Sequence, residues 1–134
     1  MNLVMDSSAI IALFRREEGA ELVQALMDDP SNATFMHAAN LCEVYYGFRR
    51  ERGEAAGHQM VEVVRSMALR LREDLDVEFW IAAGRYKADL RRLSLADCFC
   101  IALAERIGGE VVTSDRHEIG AVVDQIRCPI RFIR

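Results

Sequence analysis

A chain of 134 residues has room for one domain with its own core, and 51% hydrophobic with 28% charged residues is ordinary for a folded globular protein. Two prolines and no low-complexity tract exclude a disordered chain, and no apolar run approaches the ~20 residues of a membrane span. A net charge of −4 argues against a nucleic-acid partner bound by charge alone, although the basic residues, nearly all arginine, cluster in pairs.

The chain opens on an apolar run from Leu3 to Met5 that ends at Asp6 and predicts a buried parallel strand. After Asp6, apolar residues at helical spacing continue until the charged residues at 15–18, which predicts a helix. Asp6 therefore lies at the carboxyl end of a strand. In open α/β sheets, this is the edge at which ligands bind.

The middle of the chain predicts a strand and three further helices. Gly19 and Gly53 separate the helical stretches, and Glu43 lies beside the apolar stripe of the longest one. The stretch from Leu69 to Arg72 fits either a short strand or a helix end. The predicted strand covers residues 33–37, and the predicted helices cover residues 20–27, 38–52 and 55–67.

The last part of the chain contains the clearest helix signal. Ser94 followed by Asp97 predicts a capping box, and the apolar helix that it begins ends at Gly108-Gly109. Asp76 is predicted to cap the amino end of another helix, which precedes this one in the chain and carries Phe79 and Trp80. After these helices the pattern predicts a strand at 111–114 that ends at Asp115, a short helix at 118–123 and a strand at 130–133. Strands that alternate with helices predict an α/β fold with a mostly parallel central sheet.

The four cysteines do not have the spacing of a zinc site. Cys98 and Cys100 alternate on the predicted apolar helix, where small buried hydrophobic side chains are expected. The first strand begins at once, without the pattern of a secretory signal, so the sequence predicts a cytoplasmic protein.

Four acidic residues each have an ordinary structural explanation. Asp6 suits a helix cap, Asp97 the acid of a capping box, Asp115 a turn and Glu43 a solvated helix face. Together they suggest more, because Asp6 and Asp115 both end predicted central strands and Asp97 lies in the first turn of a helix that packs on the sheet. Glu43 can approach them, since its helical neighbours are small or polar: Ala39, Asn40 and Gly47.

Four neighbouring carboxylates repel one another at neutral pH unless a cation neutralises them. Oxygen ligands alone select hard ions, so Mg²⁺ or Mn²⁺ is expected rather than zinc. Such a site suits phosphoryl-transfer chemistry, because a metal activates a water and offsets the charge of the transition state. A cation would also reconcile the acidic net charge with a nucleic-acid substrate.

The order and spacing of the acidic motifs resemble the PIN-domain ribonucleases, especially the VapC toxins of prokaryotic toxin–antitoxin pairs. The resemblance covers almost the whole chain. It is carried by the segments Val4-Met5-Asp6-Ser7-Ser8-Ala9-Ile10, Asn40-Leu41-Cys42-Glu43-Val44, Leu93-Ser94-Leu95-Ala96-Asp97 and Val111-Val112-Thr113-Ser114-Asp115.

The resemblance implies a single PIN-like domain over residues 1–134, with a three-layer α/β/α sandwich. It implies that Asp6, Glu43, Asp97 and Asp115 form the metal-binding and catalytic pocket of an Mg²⁺- or Mn²⁺-dependent endoribonuclease that leaves a 5′-phosphate. It further implies an RNA substrate, a homodimer and inhibition by a cognate antitoxin protein. Glu118 is a candidate for the additional acid common in the family.

Two alternatives differ in function. A receiver domain or a haloacid-dehalogenase-like phosphatase also uses a strand-end Asp, but Ser8 stands where the phosphatase needs a second acid, and His37 and Ala38 stand where a receiver needs its phosphoacceptor. The other alternative is a catalytically silent PIN-like module that binds RNA or protein. Side chains that could contact RNA are Arg85, Lys87, Arg116 and His117.

Overall fold

The computed structural model describes Met1–Arg134 and contains five strands, six α-helices and one 3₁₀ helix. The elements in chain order are β1 (Asn2–Met5), α1 (Ser7–Arg15), α2 (Ala20–Asp28), β2 (Ala33–His37), α3 (Ala38–Arg52), α4 (Glu54–Ser66), β3 (Arg70–Arg72), α5 (Val77–Asp89), α6 (Leu95–Arg106), β4 (Glu110–Thr113), the 3₁₀ helix (Gly120–Gln125) and β5 (Ile130–Phe132).

The five strands form one sheet in the order β3-β2-β1-β4-β5, and every neighbouring pair is parallel. The chain starts in the centre, adds β2 and β3 on one side, and then returns to add β4 and β5 on the other side. The strand order therefore reverses between β1 and β4. In parallel sheets, such a reversal opens a crevice at the carboxyl ends of the strands, because the two connections leave toward opposite sides.

Alternate residues of the central strands pack against opposite faces of the sheet, as expected for a strand that is covered on both sides. Val4 packs with residues of α5, α6 and the 3₁₀ helix, whereas Leu3 and Met5 pack with residues of α1 to α4. The same alternation separates Val111 from Val112 in β4. The sheet is thus the middle of three layers, which confirms the predicted α/β/α sandwich.

Most of the predicted elements are confirmed, and two details differ. Of the two alternatives left open for residues 69–72, the strand is the correct one, over Arg70–Arg72. The predicted short helix after Asp115 is a 3₁₀ helix that begins only at Gly120. Asp76 precedes α5 as predicted, but its side chain makes no capping hydrogen bond. Both of its carboxylate oxygens instead accept hydrogen bonds from Arg106, at 2.5 and 2.7 Å, because a bidentate pair with a guanidinium outweighs one bond to a backbone amide.

Cys98 and Cys100 are buried in α6, as predicted, and burial raises the pKa of the Cys98 thiol to about 11. These side chains therefore act as small apolar residues of the core. Cys42, in contrast, is exposed on α3. None of the helices has the length and apolar character needed to cross a membrane.

Candidate active site

The crevice between β1 and β4 holds two of the predicted acids. Asp6 follows β1 directly, and its backbone amide donates to the Val112 carbonyl of β4 at 3.0 Å. Asp115 follows β4 by two residues. Both carboxylates thus lie at the carboxyl edge of the two central strands, because parallel pairing brings these strand ends side by side.

Hydroxyl groups fix the buried Asp6 carboxylate. Its Oδ2 accepts hydrogen bonds from Ser8 Oγ at 2.7 Å and from Thr113 Oγ1 at 2.8 Å. The two hydroxyls in turn accept from the backbone amides of Ser114 and Asp115, each at 3.0 Å, so their own protons are directed at Asp6. Burial nevertheless raises the pKa of Asp6, the hydroxyls oppose the shift, and the charge of Asp115 adds to it.

Glu43 reaches the site from the first half of α3. Its Oε1 accepts from Ser7 Oγ at 2.9 Å, which ties α3 to the first turn of α1, and its Oε2 accepts from the Tyr46 hydroxyl at 3.4 Å. Burial is the main cause of the raised pKa of Glu43, and the charge of Asp6 raises it further. The burial of Glu43 and its hydrogen bond with Ser7 favour a place in the acidic site over the alternative of a solvated helix acid.

Asp97 belongs both to the cap of α6 and to the acidic site. Ser94 Oγ accepts from the Asp97 amide at 3.0 Å, and Asp97 Oδ2 accepts from the Ser94 amide at 2.9 Å, which confirms the predicted capping box. The side chain is 8% exposed. Burial, and then the charge of Asp6, raise the pKa of Asp97 to about 6. One carboxylate oxygen is engaged by the cap, and Oδ1 remains available.

Asp115 is half-buried, as is Glu43, whereas Asp6 and Asp97 are buried. Its Oδ1 accepts from the Glu118 amide at 2.8 Å, which closes the turn after β4. The carboxyl of Glu118, the candidate fifth acid, accepts from Arg92 at 3.2 Å, so it serves an ion pair in this structure. The turn role predicted for Asp115 and its electrostatic effect on Asp6 are both present.

Asn40 also belongs to the site. The sequence pattern indicated it only as a small or polar neighbour of Glu43. It is fully buried, and its Nδ2 donates to the Ala96 carbonyl at 3.2 Å and to Asp6 Oδ1 at 3.5 Å. Because a carbonyl can only accept, Ala96 fixes the orientation of the amide. Asn40 Oδ1 is the only buried side-chain polar atom without a hydrogen-bond partner. The signal in the sequence was an Asn at the third position before Glu43, on the buried side of α3.

The structure brings the four acids into one electrostatically coupled region but does not join them into a ready cation site. The charge of Asp6 acts on Glu43 and Asp97, and the charge of Asp115 acts on Asp6. No three His, Cys, Asp or Glu side chains have the arrangement of a metal site. Ser7, Ser8, Thr113 and Asn40 bind the carboxylates individually instead.

Two of the basic side chains considered for RNA contact, Lys87 and Arg116, are engaged in contacts within the chain. Lys87 Nζ donates to the carbonyls of Arg91 and Leu93, at 2.8 and 2.7 Å, and so holds the loop that leads to Ser94. Arg116 packs over the Phe132 ring and donates to the Arg134 carbonyl. His117 is exposed and lies beside Glu118.

The PIN domain profile matches residues 3–122, which is most of the chain. The chain belongs to the PIN domain family. This match includes Asp6, Glu43, Asp97 and Asp115. No curated protein matches this PIN domain by sequence.

Solved structures share the fold of this PIN domain. VapBC-1 from nontypeable Haemophilus influenzae superimposes with a TM-score of 0.72 and 16% identity, over 99% of this chain and 98% of that one. VapBC2 from Rickettsia felis, bound to a DNA fragment from its promoter, gives 0.72 and 12%, over 98% of each chain. Mycobacterium tuberculosis VapC20, a toxin that cleaves the sarcin–ricin loop, gives 0.69 and 18%, over 89% and 94%. At these identities the likeness establishes the fold.

Proposed function

We propose that this PIN domain is an Mg²⁺- or Mn²⁺-dependent endoribonuclease and the toxin of a type II toxin–antitoxin pair. PIN domains are generally nucleases. The observation that carries the proposal is the group of buried and half-buried acids linked by the charge of Asp6, beside a buried Asn40 whose amide oxygen has no partner. A buried acceptor without a donor is costly, so folds rarely retain one without a ligand or functional reason.

The chemistry of the donor set fits a hard divalent cation. The site offers carboxylate, hydroxyl and amide oxygens and no His or Cys, which favours Mg²⁺ or Mn²⁺ over zinc. The raised pKa values of Asp6, Glu43 and Asp97 mean that burial makes these negative charges costly, and a cation removes that cost. A hydrated cation also brings hydrogen-bond donors, which the free Asn40 acceptor lacks.

We assign the roles of metal ligand and catalytic residue to Asp6, Glu43, Asp97 and Asp115. When bound, the cation activates a water and offsets the negative charge that grows on the phosphodiester during hydrolysis. The hydroxyls of Ser8 and Thr113 keep Asp6 in place, and Ser7 does the same for Glu43. The capping box holds Asp97 Oδ2, which leaves Oδ1 available to a cation.

The proposed partners are an RNA substrate, a cognate antitoxin protein and a second copy of the chain, in the cytoplasm. Shared fold with VapBC-1 and VapBC2 supports the antitoxin partner. The domain is proposed to act as a single unit over residues 1–134.

A catalytically silent PIN-like module that binds RNA or protein is the alternative. One observation favours it: without a cation, no three acidic side chains stand in the arrangement of a metal site. Carboxylates that are held apart by hydroxyls must move together to share an ion, and a module that has lost catalysis has no need of that movement.

Cleavage of total cellular RNA tests the proposal against this alternative. Antitoxin-free protein is incubated with RNA and Mn²⁺, and the new 5′ ends are sequenced by a method that captures only 5′-phosphates. The proposal predicts discrete cleavage sites that disappear with EDTA and in Asp97→Asn. Intact RNA in the presence of Mn²⁺, or cleavage that persists in Asp97→Asn, contradicts it.

A further inference from the structure

One face of α3 carries a row of side chains that leads away from the acidic site. Glu43, Tyr46 and Arg50 lie at positions i, i+3 and i+7 and therefore share this face. The rise of the helix separates the first and last of them by about 10 Å along the axis. The Tyr46 hydroxyl donates to Glu43 Oε2 at 3.4 Å, and the Arg50 guanidinium lies 4.8 Å from the centre of the Tyr46 ring.

Tyr46 differs from the other aromatic rings that carry an arginine. The side chains of Phe35, Phe48, Phe79 and Phe132 also lie beneath guanidinium groups, but they are buried or partly buried and belong to the core. Tyr46 is 40% exposed. Its side chain, together with the Arg50 guanidinium over the ring, is therefore accessible to solvent at the edge of the acidic site, and packing of the core does not require this exposure.

Arg50 differs from Arg49, its neighbour on α3, and from Arg15 in having no acidic partner. Arg49 pairs with Glu54, and Arg15 across from α3 pairs with Glu51. Arg50 is exposed and forms no ion pair, so its charge is free for a ligand. The Arg50 guanidinium lies over the Tyr46 ring, a contact that does not neutralise its charge.

We propose that Tyr46 and Arg50 form a stacking site for a nucleobase of single-stranded RNA beside the acidic pocket. This inference rests on the proposed ribonuclease function and adds a substrate contact to it. Exposed aromatic rings and guanidinium planes are the surfaces on which proteins stack unpaired bases. The free charge of Arg50 attracts the phosphate backbone, which the acids of the pocket alone would repel.

The stacking site selects the strandedness of the RNA more than its sequence. Every base has a flat face, so stacking tolerates any base, whereas a duplex keeps its bases inside the helix. The Tyr46 hydroxyl donates to Glu43, which links the position of the ring to that of a proposed metal ligand. A base that stacks on this ring therefore determines where the RNA backbone passes the acids.

Binding of short labelled oligonucleotides to the antitoxin-free chain in EDTA tests the proposal, because no cleavage occurs without a cation. The probes are a decamer of adenylate and a decamer with the same backbone that lacks bases, both followed by fluorescence anisotropy. The chain is expected to bind the adenylate decamer more tightly. Tyr46→Leu is expected to weaken that binding about fivefold or more, and Tyr46→Phe, which keeps the ring, to retain it.

Matched variants separate stacking from general effects. Trp80→Leu removes another exposed aromatic ring, on α5, and is expected to leave the affinity within twofold. Arg50→Lys keeps the charge but loses the plane and is expected to weaken binding, whereas Arg91→Lys at another exposed arginine is not.

Three results overturn the stacking site: no binding of the adenylate decamer by the wild type, equal affinity for the base-free decamer, or unchanged affinity in Tyr46→Leu. The proposed ribonuclease function is tested by a different measurement, and it fails if the wild type does not bind Mn²⁺. An active, Mn²⁺-binding protein whose Tyr46→Leu variant binds RNA normally thus contradicts only the stacking site.

Discussion

At the scale of single residues, Asn40 shows how a buried amide can organise an acidic site. Its Nδ2 donates to Asp6 and to the Ala96 carbonyl, so it links the segment after β1 to the first turn of α6. It also lies on α3 one turn before Glu43, whose pKa is raised by burial and lowered in part by the Asn40 amide. One side chain therefore contacts three of the segments that carry the acids.

Replacement of Asn40 by Leu separates a binding role from a structural one. We expect the free energy of unfolding without metal to fall by about 1–3 kcal/mol, because the Ala96 carbonyl and Asp6 Oδ1 lose their Asn40 donor and removal of an unpartnered acceptor offsets only part of that cost. We expect Mn²⁺ affinity to fall about tenfold or more. Chemical denaturation and calorimetric titration measure the two quantities.

The matched control is Asn32→Leu, just before β2 at the edge of the sheet opposite to the acids, which removes a hydrogen bond from Nδ2 to the Leu26 carbonyl. It is expected to lower stability and to leave Mn²⁺ affinity unchanged. If Asn40→Leu behaves in the same way as Asn32→Leu, the side chain has only a structural role.

The sequence allowed the acids to be predicted but not their surroundings. Asp6, Asp97 and Asp115 follow or begin elements whose ends are marked in the sequence, so their location could be predicted from the strand and helix pattern. The hydroxyl network around Asp6 depends on the side-by-side placement of β1 and β4, which are more than 100 residues apart. The ion pair of Asp76 could not be predicted for the same reason. Its partner Arg106 is the last residue of α6, 30 residues along the chain.

At the scale of elements, the position of the site follows from the strand order. The strands β2 and β3 lie on one side of β1, and β4 and β5 lie on the other side, so the strand order reverses between β1 and β4. Asp6 and Asp115 follow these two strands. Long periodic elements such as α3 were predictable in full. The short β3, with a single apolar residue between Arg70 and Arg72, was not, because three residues carry too little pattern to distinguish a strand from a helix end.

Gly109, which connects α6 to β4, lies close to the backbone of β1, and a substitution can test this contact. A Cβ at Gly109 would lie 2.8 Å from the Asn2 carbonyl oxygen, and a backbone atom cannot move aside cheaply. We expect Gly109→Ala to lower the free energy of unfolding by on the order of 1–3 kcal/mol, because β1 or β4 must shift.

Gly84→Ala is the matched control, since Gly84 lies in the exposed interior of α5 with no atom near the added methyl group. It is expected to stabilise the protein by about 0.5–1 kcal/mol through a lower entropy of the unfolded chain. Equal effects of both substitutions in thermal unfolding would show that the close approach at Gly109 does not constrain the fold.

At the scale of the whole molecule, the acidic site makes the metal-free protein sensitive to pH. The pKa of Asp97 is raised to about 6, mainly by burial, and those of Asp6 and Glu43 are raised as well. A carboxyl with a raised pKa binds its proton more tightly in the folded state. Its contribution to stability is therefore complete below the ordinary pKa and is lost as the pH rises through the folded value.

We expect the unfolding temperature of the metal-free protein to fall between pH 5 and pH 8, with on the order of 1 kcal/mol lost through Asp97 alone. Asp97→Asn should reduce this slope. Asp76→Asn should not, because Arg106 lowers the pKa of Asp76 to about 2, and this group is ionised throughout the range. A flat or rising profile in calorimetry without metal would refute the linkage.

The most direct test of the account is calorimetric titration of Mn²⁺ into the antitoxin-free protein. We expect saturable binding by the wild type and loss of binding in both Asp6→Asn and Asp97→Asn. The control Asp124→Asn, which removes an exposed carboxyl of the 3₁₀ helix, should bind as the wild type does. No binding by the wild type, or unchanged affinity in Asp6→Asn and Asp97→Asn, would contradict a shared carboxylate site and favour the silent PIN-like module.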